Sequence, residues 1–166
     1  MRAFLLSFAL LAANNVSAKQ VETELGFSLV AGAMAGNVAA GTLWMGSPFK
    51  LRADWAAFIE EDMSKRFRIG LEVPLHQRIA LGFRPGFDFP VTIMGMPFCV
   101  GLGLRNYVTP YTLHGAEVQV SWRPSLIGKL QLDAGFSASA FFFGNDLPGN
   151  GALIEFQGGA GLRLPL

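Results

Sequence analysis

From Val21 onward, apolar and polar side chains alternate in eight runs, each near the 9–11 residues that a tilted strand needs to cross a bilayer. In the first, Val21, Thr23, Leu25, Phe27, Leu29 and Ala31 share one face, and Glu22, Glu24, Gly26 and Ser28 share the other. The second sets Phe49, Leu51, Ala53, Trp55 and Ile59 against Lys50, Arg52 and Asp54. The same period continues through 66–75, 78–88, 94–105, 116–123, 129–142 and 154–166. These runs hold eighteen charged residues, and every one lies opposite the apolar face. Once one charge per run sets the phase, random placement would give that agreement about once in a thousand trials.

Alternation alone leaves open which face points outward, because a soluble barrel with an apolar interior has the same binary pattern. Energetics separate the two. A charge on a lipid-facing wall costs roughly 2–4 kcal/mol near the midplane, so a membrane barrel must keep its charges inside. The polar face here is mostly Arg, Asp, Glu, Gly and Ser, which suits a narrow ion-paired interior better than a Lys- and Glu-rich soluble surface. The pattern therefore predicts an all-β chain: an eight-stranded antiparallel up-and-down transmembrane β-barrel with a filled polar lumen.

Composition points the same way. The 166 residues suit one domain, 51% are hydrophobic and only 15% charged, with 20 Gly and 15 Phe. The net charge of +1 implies no electrostatic partner, and apart from Lys65, Arg66 and Arg68 no basic stripe is present, so nucleic-acid binding is not expected. The one cysteine, Cys99, excludes an intramolecular disulfide. Residues 1–18 carry Arg2, an apolar stretch from Ala3 to Ala13, and Val16-Ser17-Ala18, the pattern of a cleavable export signal. The mature barrel domain is then expected at 19–166, exported to an outer membrane with outer-membrane lipid as a partner.

Even strand parity returns both termini to the periplasmic side. Its turns are expected at 60–65, 90–93 and 124–128, all short, as such barrels require. Trp55, Phe67, Phe87, Phe89, Phe98 and Trp122 should line that rim, with Phe49 and Phe142 at the other. Gly36-Asn37 suits a turn, leaving 38–48 as the longest outer loop, or as room for an extra short strand. Pro74, Pro85 and Pro97 should mark bulges or strand ends.

With its leader, eight alternating runs and a last strand of outward apolar residues, the chain resembles the small outer-membrane barrels of the OmpA and OmpX type over 21–166. The likeness is architectural, brings no functional motif and implies the outer-membrane assembly machinery as a further partner. It implies a lumen filled by side chains, an ion-pair network of Glu22, Arg52, Arg68, Glu72, Arg84, Asp88, Arg105, Glu117, Asp133, Glu155 and Arg163. The chain departs from the family in ending Leu164-Pro165-Leu166 instead of on an aromatic residue, and in its short outer loops, as at Leu75-His76-Gln77.

Candidate chemistry is sparse. His76 and His114 lack the clustered partners of a metal site, and no cofactor is expected. A lipid-modifying enzyme could use His114 as base, Ser121 as nucleophile and Glu117 or Asp133 as orienter, yet His114 and Ser121 have opposite strand parity. The leading expectation is a non-catalytic envelope-structural or surface-interaction barrel. The alternatives are a soluble lipocalin-like barrel holding a small apolar ligand and that lipid-modifying enzyme; a pore is disfavoured by eight strands.

Overall fold

The computed structural model describes residues 22–38, 41–58, 65–75, 80–109, 112–147 and 151–166. The expected leader, Val21, Ile59, most of the 60–65 turn, His76, Arg78 and Ile79 lie outside the described residues. The strands are β1 (Thr23–Val38), β2 (Gly41–Phe58), β3 (Arg66–Pro74), β4 (Leu81–Ile93) and β5 (Met96–Thr109). They continue with β6 (Leu113–Trp122), β7 (Ser125–Ile127), β8 (Leu130–Phe143) and β9 (Leu153–Pro165). Each pairs antiparallel with its neighbours, and pairing of β1 with β9 and of β6 with β8 closes the sheet. The short β7 carries the line of β6 past Arg123-Pro124 along β8, so the barrel has eight staves, as the alternation implies.

The faces are inverted relative to a water-soluble barrel. Outward Phe27, Leu102, Leu104, Phe136 and Leu162 are between 48% and 63% exposed, whereas Arg68, Glu72, Arg84, Asp88, Arg105 and Glu155 are at most 1% exposed. Soluble proteins almost never bury charges so completely unless they are paired. At the end remote from the termini, Ala80, Tyr107, Leu113, Phe141 and Leu153 form a buried apolar cluster that caps the lumen.

Several expected boundaries move. Within 38–48, the described residues 38 and 41–48 form neither a loop nor an additional strand: β1 and β2 stay paired there, Gly36 with Leu43 and Val38 with Gly41. The register slips between Val30 and Gly32, so that Ala31 opposes Pro48 and Phe49, and this bulge accommodates a proline inside the strand. Its phase shift is what hid the strand from a strict period of two.

The 90–93 turn falls later, at Met94-Gly95, whose φ values of 52° and 77° fit the primed hairpin turn that matches strand twist. Likewise the 124–128 segment contains β7, and its turn lies at Gly128-Lys129. Pro74 ends β3 and Pro97 lies one residue into β5, but β4 passes through Pro85 with no register shift there.

Candidate functional site

Period-two geometry on eight staves directs one row of side chains from each strand to a common axis. Among the described residues that axis holds eight cations, Lys50, Arg52, Arg66, Arg68, Arg84, Arg105, Arg123 and Arg163, and seven carboxylates, Glu24, Asp54, Glu72, Asp88, Glu117, Asp133 and Glu155. The other described charges, Glu22, Lys65, Lys129 and Asp146, are exposed near the strand ends.

Toward the capped end, Glu72 accepts from Arg52 Nε at 2.6 Å, from Arg105 Nη2 at 2.5 Å and from the Tyr107 hydroxyl. Tyr107 in turn accepts from Lys50 at 2.8 Å and Arg105 at 3.0 Å. Glu155 lies 2.5 Å from Lys50 and 2.9 Å from Arg105, and accepts from Gln157 and Ser47. At mid-height Arg84 grips Glu117 through both Nε and Nη2, and reaches Asp54 at 3.3 Å and Gln119 at 3.0 Å. Glycine makes room for these bulky groups: a Cβ at Gly70 would collide with Asp54, and one at Gly101 would lie 2.5 Å from Gln119.

Toward the termini, Asp88 accepts from Arg68 at 3.1 Å and Arg123 at 3.0 Å, Asp133 accepts from Arg163 at 2.9 Å, and Glu24 accepts from Arg66 at 2.6 Å. Charge-assisted bonds of this kind, many of them out of water, fix a single interior arrangement. The cavity left at mid-lumen measures about 40 Å³ and is itself lined by Arg52, Asp54, Arg84 and Arg163, room for a few waters and no organic ligand.

Of the eleven residues named from the sequence, Arg52, Arg68, Glu72, Arg84, Asp88, Arg105, Glu117, Glu155 and Arg163 are buried in this lumen. Asp133 is half-buried, and Glu22 stands exposed at the rim, where Glu24 two residues on takes the inward place. Lys50, Asp54, Arg66 and Arg123 share the polar parity and belong to the network too. Tyr107 lies two residues beyond Arg105, the last residue of the fifth alternating run, and at the same polar parity.

The lipid-modifying set does not assemble. His114 faces outward and bonds Asn106 at 3.0 Å, whereas Ser121 points inward to Arg123, roughly 23 Å further along the strand at about 3.3 Å per residue. Among the described residues no group of three or more His, Cys, Asp or Glu could hold a metal ion.

No protein-family model and no curated protein matches the sequence. Solved structures share the fold, among them the following two. Neisserial surface protein A, known from a crystal structure, is 16% identical, with a TM-score of 0.56 over 86% of this chain and 96% of that one. The outer membrane protein AlkL, solved by solid-state NMR in DMPC lipid bilayers, is 11% identical, with a TM-score of 0.53 over 92% and 93%. The chain thus has the architecture of the small eight-stranded outer-membrane barrels.

Proposed function

We propose that this protein is a non-catalytic integral barrel of a bacterial outer membrane, with a structural or surface-interaction role in the envelope. The observation that carries the reading is the wall itself: between the rims, no described charged side chain stands on the outward face, while fifteen fill the axis. At roughly 2–4 kcal/mol per lipid-facing charge, that segregation is what a bilayer selects and what water does not require. The leader-like segment of residues 1–18 and the fold shared with two outer-membrane-type barrels support it.

A soluble barrel that holds an apolar ligand needs an apolar interior, and the lumen is ionic and filled. Catalysis by the His114 and Ser121 set lacks the necessary approach. The reading is tested by extracting membranes and comparing gel mobility with and without boiling. A folded form that migrates differently from the boiled one is expected; recovery in the detergent-free supernatant with unchanged mobility would overturn it.

A further inference from the structure

The two halves of the lumen differ in charge balance. When each carboxylate is assigned to its nearest cation, Asp54, Glu72, Glu117 and Glu155 fall within the group of Lys50, Arg52, Arg84 and Arg105, four anions for four cations. By the same assignment, Arg66, Arg68, Arg123 and Arg163, in the half where β1 begins, receive three, Glu24, Asp88 and Asp133, although Arg68 also stands 3.8 Å from both Asp54 and Glu117. Of the four buried guanidinium nitrogens without a hydrogen-bond partner among the described residues, that half contains three, Arg66 Nε, Arg68 Nη1 and Arg123 Nη1, and the balanced half one, Arg105 Nε. Arg66 and Arg123 line a cavity of about 160 Å³ beside the β4–β5 hairpin, together with Thr92, Gln131 and Cys99, and no described carboxylate lines it.

A buried donor on a cation is costly to leave unbonded, and an uncompensated cation in the same place adds to that cost. An anion relieves both. We propose that this cavity binds a tetrahedral oxyanion of the phosphoryl class, as free phosphate or as the phosphate of a lipid headgroup. A carboxylate presents two oxygens, whereas a phosphoryl group presents three or more, enough to accept from two guanidinium groups, the Thr92 hydroxyl and Gln131 at once. The volume is several times the roughly 30 Å³ share of one water, so the group and a companion water both fit. The opening lies at the rim that carries Trp55 and Trp122, the height of headgroups if the wall lies in a bilayer.

The test uses the full barrel domain folded in a phosphate-free zwitterionic detergent, with inorganic phosphate titrated against chloride at matched ionic strength. The Nε–Hε NMR signals of Arg66 and Arg123 should shift saturably with phosphate, while those of Arg52 and Arg84 stay put. Arg123→Gln and Arg66→Gln should each weaken binding roughly tenfold to a hundredfold, the worth of one charge-assisted bond. Arg66→Gln, which touches one carboxylate at the rim, keeps the comparison available if Arg123→Gln does not fold.

A parallel titration with short-chain phosphatidylglycerol separates the sources: saturation by phosphate assigns a free oxyanion, and saturation by the lipid alone assigns a headgroup. Linear shifts equal to those with chloride, or none, mean that only water occupies the cavity and overturn the proposal. Binding that emerges only after Glu60, Glu61 and Asp62 are changed to glutamine also overturns it, because the chain would then supply its own anion. None of these readouts depends on where the barrel resides in the cell.

Discussion

At the capped end of the lumen, Tyr107, Leu113, Phe141 and Leu153 form an apolar lid directly over Lys50, Glu72, Arg105 and Glu155, all at most 2% exposed apart from the lid's own edge. At the end where β1 begins and β9 finishes, Asp133 is 17% exposed along its side chain, and cavities of about 350 and 160 Å³ open beside Glu24, Arg66 and Arg123. The same residue types thus sit in two dielectric settings within one barrel. Under the lid each charge has exchanged water for protein partners and depends on all of them; at the open end water can replace a lost partner.

Breaking a partner at each end exposes the contrast. Glu72→Ala strips Arg52, Arg105 and Lys50 of their shared carboxylate and should cost about 3–5 kcal/mol in urea unfolding from lipid vesicles. Phe141→Ala should follow at about 3 kcal/mol, because a ring at 0% exposure, 5.9 Å from that of Tyr107, leaves a cavity in the lid. The same variant should speed water exchange at Arg105 and Tyr107, as read by NMR. Asp133→Ala, at the wet end, should cost only about 1–2 kcal/mol, between exposed and fully buried pairs. Equal costs for Glu72→Ala and Asp133→Ala would dissolve the distinction between the ends.

A smaller effect belongs to the hairpin beside the open end: Gly95→Ala places a methyl at φ 77° and should cost about 1 kcal/mol. Gly46→Ala, toward the capped end, has open space and no positive φ, and should cost less in the same assay.

Much of this contrast was legible in the chain, and the reason is geometric. A period of two fixes which face a side chain takes, so Arg68, Glu72, Arg84 and Arg105 could be assigned to the axis before any contact was known. What alternation does not encode is height and partner. The bulge opposite Ala31 reversed the phase of β2 beyond Pro48, hiding eight further residues of strand and placing Ser47 inside with Lys50. The Met94-Gly95 turn was obscured because Met94, not a typical left-handed residue, holds a φ of 52°, while Pro90 drew the turn too early. Glu22 and Glu24 share one parity, and only the stagger of β1 against β2 leaves the first at the rim and the second beneath Arg66. The lid has no local signature in the chain, because its members Tyr107, Leu113, Phe141 and Leu153 come from strand ends that converge only in the closed barrel.

The account rests on the outward face meeting hydrocarbon. Leu102, Val118 and Val120 stand on that face at mid-wall, between 42% and 52% exposed. With the protein in lipid nanodiscs, nuclear Overhauser transfer to their methyl groups should come from acyl-chain methylenes and not from water. Transfer from water with none from lipid would place this face in solvent and contradict the account.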